Sequence, residues 1–306
     1  MLYTLTFCPG LEYTGALNDI SVGADNMISD GALHVSGGGA VIAEMASKLS
    51  VPATLLGFAA GFTGGEIEGI LRGNGVNIEL VYLKKGTSPF NMSLDHGEKL
   101  TRFVGQPLEI SYDELMTLFS RLERLDDGDM LVLSGAVPPS VPADVYSFIP
   151  DNYAGKSVKL VLDIPAVPLA QCLALQPYLV ITDRQRLGEI FGEPPQSEAE
   201  SIAYISSIRD MGAQNVLFLP GEDNTAILLD SGNNILKRTL PLGTRLNDVV
   251  LNSLIAGFIV GCMDNDVDNE YSLMLAAASA RAAAVHKGNP LKSDIISIMQ
   301  EMMKNT

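Results

Sequence analysis

Three consecutive glycines, Gly37-Gly38-Gly39, are the first feature of this sequence that could do chemistry. Without Cβ atoms a backbone can bring bare N–H groups against an anion, and glycine turns that open helices hold phosphates in this way. A dinucleotide fingerprint also needs an acidic residue about twenty positions on. None stands there, so the run reads as a turn leading into a helix. Asn247 and Asp248 precede the apolar run Val249–Met263 and read as its N-cap. Arg184 and Arg186 sit near the start of another helical pattern, where they either attract an anion or lie solvated. Cys8, Cys172 and Cys262 lack metal-ligand spacing, and their odd number gives no disulfide framework. They are expected to be free thiols in a reducing cytoplasm. His34, His96 and His286 are equally scattered, so no metal site is expected.

The elements that must position these residues can be read from patterning. In 306 residues, 47% are hydrophobic and only 18% charged, enough for a sizeable core. The net charge of −16 repels phosphate backbones and argues against a nucleic-acid partner. A nucleotide or sugar-phosphate site remains open, because such sites use local dipoles. Met1–Phe7 has no basic region and reads as a strand rather than a signal peptide. Val249–Met263 is too short to span a bilayer, so no membrane association is expected.

Strand-like runs (Thr4–Phe7, Thr54–Phe58, Met130–Leu133, Lys159–Leu162, Tyr178–Ile181, Val216–Leu219 and Ala226–Leu229) alternate with helical patterns. The middle strands are continuously apolar, as in a parallel sheet covered on both faces. The alternation predicts a doubly wound, Rossmann-like α/β fold. Two stretches, about 12–35 and 81–104, are richer in glycine, polar and β-forming residues, and predict short strands of a small separate sheet. The last third is helical: Val249–Met263, Tyr271–His286 and Ser293–Met303. A single domain over 1–306 is expected.

Four segments, in this order and spacing, carry a resemblance: Leu56–Gly64, Gly128–Pro139, Val161-Leu162-Asp163 and Ala256–Gly261. The chain resembles the ribokinase/PfkB carbohydrate kinases, most of all the branch with 1-phosphofructokinase and tagatose-6-phosphate kinase, from Leu2 to about Gly288. The resemblance implies a ribokinase-like fold with a β-sheet lid that closes over a sugar and often mediates dimerisation. It also implies transfer of the ATP γ-phosphoryl group to a sugar hydroxyl with Mg2+.

The resemblance also assigns roles. The family's Gly-Ala-Gly-Asp, whose Asp takes the proton of the attacking hydroxyl, falls on Val249-Val250-Leu251-Asn252. An amide cannot act as that base, and three branched side chains are expected in the space a phosphate needs. Losing a general base costs about 10²–10⁴ in rate. Asp248 is open to two readings, a relocated base or a helix cap. Ser253 follows the catalytic position on the nucleotide side. The sugar-binding Gly-Gly-Lys-Gly-x-Asn falls on Ser36–Val41, keeping Gly37 and Gly39 but neither Lys nor Asn. Asn-Pro-x-Leu-Asp becomes Cys8-Pro9-Gly10-Leu11-Glu12, where Glu12 either binds a sugar hydroxyl or is a solvated carboxylate. The lid Arg for the substrate phosphate falls on Pro89, while Asn91 is kept. Asn-x-x-Glu, tied to Mg2+ and phosphate, becomes Asp183-Arg184-Gln185-Arg186. The nucleotide loop Ser-Leu-Gly-x-x-Gly becomes Leu219–Asn224, with Gly221 kept and two carboxylates added.

The expectation from these departures is a kinase-like protein with little or no phosphotransfer, serving as a small-molecule-binding or regulatory module. An active kinase using other residues, such as Asp248 or Glu12, and a non-catalytic subunit paired with an active paralogue are the alternatives. Self-association as a dimer through the lid is expected.

Overall fold

The computed structural model describes residues 1–96, 99–241, 243–244, 246–264, 268–286, 288 and 290–304. The chain opens with β1 (Leu2–Thr6), β2 (Gly10–Ala16) and β3 (Ser29–Ser36), then turns into helix α1 (Gly38–Lys48). β4 (Ala53–Ala60), α2 (Gly61–Gly73) and β5 (Asn77–Leu83) make a βαβ unit, followed by the hairpin of β6 (Phe90–His96) and β7 (Lys99–Phe103). Alternation resumes with α3 (Tyr112–Leu122), β8 (Met130–Ser134), the short α4 (Val145–Phe148), β9 (Lys159–Asp163) and α5 (Ala166–Cys172). It continues through β10 (Leu179–Thr182), α6 (Arg184–Phe191), α7 (Glu198–Asp210) and β11 (Asn215–Phe218). The hairpin β12 (Thr225–Leu229) and β13 (Ile235–Thr239) precedes α8 (Asp248–Met263), α9 (Asn269–Val285) and α10 (Lys292–Lys304).

The large sheet has nine strands in the order β13-β12-β11-β10-β9-β8-β1-β4-β5. Pairing is parallel from β5 to β11 and antiparallel through β12 and β13. Every residue of β4 and of β8 is buried, which explains their unbroken apolar sequence. Neighbouring strand residues face different cores: Leu55, Val161 and Leu217 pack with α1, α2, α8, α9 and α10, while Leu56, Leu162 and Val216 pack with α3 to α7. Helices therefore cover both faces. From β1 the chain winds outward to β4 and β5, then restarts at β8 and winds the other way. That reversal, between β1 and β8, opens a crevice at the carboxyl ends of the strands.

A separate sheet of four strands runs β3-β2-β6-β7. Val81 and Leu83, inside the second irregular stretch of the sequence, belong instead to β5, because both are buried against the α3 side of the large sheet. Among the described residues no helix is long and apolar enough to cross a membrane.

Candidate functional site

The crevice between β1 and β8 is closed from below by polar strand ends. Thr6, the last residue of β1, donates through Oγ1 to the Ser134 carbonyl at 3.3 Å and accepts from the Gly39 N–H at 3.0 Å. Gly37 turns the chain at φ +106°, in the region that favours glycine. Gly38 and Gly39 are not part of a turn, as the sequence suggested, but the first residues of α1. Their bareness is a packing requirement. A Cβ on Gly38 would stand 2.2 Å from Ser134 Oγ, 3.2 Å from Asp163 Oδ2 and 3.3 Å from Asn252 Oδ1. One on Gly39 would stand 2.5 Å from Thr6 Oγ1. The start of α1 thus lies against the ends of β8 and β9 and the first turns of α8.

Asn252 enters this cluster from α8. That helix begins at Asp248, one residue earlier than its apolar run, and Asn247 is its cap: the side-chain oxygen accepts from Val250 N–H at 2.9 Å. Val250 is buried in the core, Leu251 packs beside it, and Val249 lies on Gly288, where a Cβ would meet Val249 Cγ1 at 3.0 Å. What occupies the helix start is Asn247 itself. Ser253 is fully buried and donates to the Val249 carbonyl at 2.7 Å, so its hydroxyl is engaged within α8. Asp248 is exposed and forms an ion pair at 2.7 Å with Arg102 of β7.

The deepest charges of the crevice stand at the ends of β9 and β10. Asp163 is 5% exposed, accepts from Ser134 Oγ at 2.8 Å, and takes Arg186 Nη1 on its other oxygen at 2.8 Å. Arg186 also donates to the Ile181 carbonyl at 3.2 Å and lies 3.4 Å from Asp183. Burial works against the guanidinium charge, but Asp163 and Asp183 outweigh it and hold the Arg186 pKa above its ordinary value. Asp183 also caps α6, its Oδ1 accepting from the Arg186 N–H at 2.8 Å.

The small sheet turns a polar face toward α8. Register pairs Glu12 with Asn91, and Ser93 with Arg102, so all four side chains share one face. Ser93 donates to Glu12 at 2.5 Å, and Asn91 donates to Ser36 Oγ at 3.2 Å while accepting from Gly105 N–H at 3.0 Å. The Arg102–Asp248 pair fixes that face over the start of α8. Pro89 contributes a carbonyl to the Leu11 N–H at 2.8 Å, a sheet-joining contact that needs no side-chain charge. Gly221 lies in the exposed β11–β12 loop, where a Cβ would meet nothing within 4 Å, and that loop begins beside the end of β10, Leu219 N–H donating to the Thr182 carbonyl at 2.8 Å.

The structure therefore brings Gly37, Gly39, Asn252, Asp183 and Arg186 to one crevice and sets Glu12 and Asn91 on the sheet facing it. Ser134, Asp163, Ser93 and Arg102 were not singled out as site residues. For the first two a signal was present: a polar residue that ends an otherwise apolar strand run lies at the carboxyl edge where such folds bind ligands. The three thiols are buried or half-buried. Burial pushes Cys8 and Cys262 up to about 11, so both are protonated near neutral pH.

The sequence profile of the pfkB family carbohydrate kinases matches residues 17–241. The chain belongs to that family. It is 29% identical over 286 residues to a 1-phosphofructokinase of Bacillus subtilis (strain 168), covering 93% of this chain and 92% of the relative. It is 28% identical to a D-tagatose-1-phosphate kinase of Bacillus licheniformis, with 94% of each chain covered. In three dimensions it superposes on phosphofructokinase-2 from Escherichia coli, in complex with substrates and products, with a TM-score of 0.89 over 98% of both chains. At 21% identity that likeness speaks for the fold alone.

PfkB kinases in general use ATP and metal ions. The residues here do not fit the metal. Among the described residues no three His, Cys, Asp or Glu side chains converge as a cation site. The two carboxylates that approach one another, Asp163 and Asp183, already share a guanidinium. Nor is the α8 start arranged for a terminal phosphate, since Asn247 holds the Val250 N–H.

Proposed function

We propose that this chain is a PfkB-type sugar or sugar-phosphate kinase homologue with weak or no phosphotransferase activity, retained to bind a small molecule or to regulate. The observation that carries this reading is Asn252, on α8 beside Ser134 and Asp163, at the position where the family places its general base. A carboxamide is not basic near neutral pH, and a missing base costs about 10²–10⁴ in rate. Glu12, Asn91 and Ser93 on the small sheet suit the hydroxyls of a sugar. A nucleotide role for Asp183, Gly221 and Ser253 has less support, since the first and last are engaged within helices. The decisive experiment is ADP release with ATP and Mg2+ on fructose 1-phosphate, fructose 6-phosphate and tagatose phosphates. Turnover well below the about 1–100 s⁻¹ of ordinary kinases is expected, and rates in that range would overturn the reading. A thermal-shift panel of the same compounds then identifies what the crevice holds.

The near full-length likeness to a 1-phosphofructokinase favours a second reading, an active 1-phosphofructokinase-like kinase with rearranged residues. Asp248 is the carboxylate closest along the chain to the lost base, and it is paired with Arg102 at 2.7 Å across the start of α8. A third reading is a non-catalytic subunit paired with an active paralogue. Self-association has its own support. Leu33, Phe90 and Phe103 are exposed on the face of the small sheet opposite Glu12 and Arg102, and a second copy of the chain, meeting face to face, would cover them. The free cysteines suit a cytoplasmic location.

A further inference from the structure

Two aspartates end adjacent parallel strands: Asp163 the last residue of β9, Asp183 the residue after β10. Asp163 is almost wholly buried, and its charge needs a cationic partner. A pair of carboxylates at the carboxyl ends of adjacent strands is the kind of oxygen pair that holds a divalent cation. Here the chain fills that place itself. The Arg186 guanidinium reaches Asp163 at 2.8 Å and Asp183 at 3.4 Å, and its third contact, the Ile181 carbonyl, fixes the plane of the group. Ser134 satisfies the remaining Asp163 oxygen. Each Asp163 oxygen already accepts one bond, and a metal entering there would meet the Arg186 charge at contact distance.

We propose that Arg186 replaces the divalent cation of this crevice, so that the protein takes its ligand without a metal. This deepens the reading of a non-catalytic binding protein and rests on it only for the ligand's class. The aspartates and the arginine together carry one negative charge. That balance disfavours a nucleoside triphosphate arriving without its own cation and favours a neutral polyhydroxylated molecule.

The test is divalent-cation binding, which involves neither nucleotide nor turnover. Mn2+ is titrated into wild type, Arg186→Glu, Arg186→Lys and the double variant Arg186→Glu/Asp163→Asn, and bound metal is read from loss of the free Mn2+ spin-resonance signal. Wild type and Arg186→Lys are expected to show no saturable site. Arg186→Glu is expected to gain one, tighter than any wild-type binding by about tenfold or more, and to lose it again in the double variant. Should Arg186→Glu fail to fold, Arg186→Ala leaves the two aspartates unpaired and is expected to gain the same site more weakly. A saturable Mn2+ site in wild type that Asp163→Asn removes would overturn the proposal. So would the absence of any gain in both Arg186→Glu and Arg186→Ala. Phosphotransfer by the wild type would sink the reading of function and leave these titrations as they are.

Discussion

A single atom exchange, oxygen to nitrogen, separates Asn252 from a residue that could accept a proton. Restoring the acid tests how much of the lost chemistry lies in that one position. A positioned general base contributes about 10²–10⁴ in rate, but only if the phosphoryl group and its counter-charge are also held. Here Val250 N–H is committed to Asn247, and Arg186 stands between the aspartates. Asn252→Asp is therefore expected to raise ADP release by less than about tenfold, far short of the full value of a base. Kinase-level turnover from that substitution alone would mean that the surrounding machinery is intact. At this scale the sequence was informative about identity and poor about role. The types at 252, 186 and 89 could be read directly, because each departs from what the chemistry needs. That Pro89 joins two strands through its carbonyl, or that Gly38 and Gly39 lie against Ser134 and Thr6, depends on contacts between residues far apart in the chain.

Elements follow local rules more closely, and the start of α8 illustrates how such a rule becomes a functional constraint. Asn-Asp before an apolar run marks a cap, and Asn247 is that cap. The same side chain that stabilises the helix occupies an amide an anion would otherwise find. Replacing Asn247 by alanine is expected to cost about 1 kcal/mol of stability, the usual worth of such a cap, measured by urea denaturation. It should also free the Val250 N–H, so inorganic phosphate should protect the variant against urea more than it protects the wild type. Equal protection of both proteins would show that the amide plays no part in excluding anions. The large parallel sheet was legible because its strands are buried on both faces and carry unbroken apolar runs. β13 was not: its residues alternate between exposed and half-buried at the sheet edge, which leaves no apolar run to find. The start of α1 was hidden for the opposite reason. Glycine is a poor helix former, and only the close approach to β8 makes it necessary there.

For the whole molecule, the small sheet presents two faces of different chemistry. One carries Glu12, Asn91, Ser93 and Arg102 and is tied to α8 through Asp248. The other exposes Phe103 at 54%, Phe90 at 44% and Leu33 at 42%, apolar groups that a lone chain would leave in water. Each side chain of this size gains about 1.5–3 kcal/mol on full burial, and all three are already part-covered, so a face-to-face dimer would draw on only a share of that. Placing a charge in the middle of such an interface costs more than the lost apolar contact, because the carboxylate must give up water. Phe103→Glu is therefore expected to shift the mass in analytical ultracentrifugation from dimer to monomer at micromolar concentration. Thermal stability should become independent of protein concentration. Because Phe103 is half exposed in the single chain, the substitution should not disturb folding, and Arg102 on the opposite face should still reach Asp248. A wild type that sediments as a monomer at all accessible concentrations would leave this face without a second copy, and the crevice would then work within a single chain.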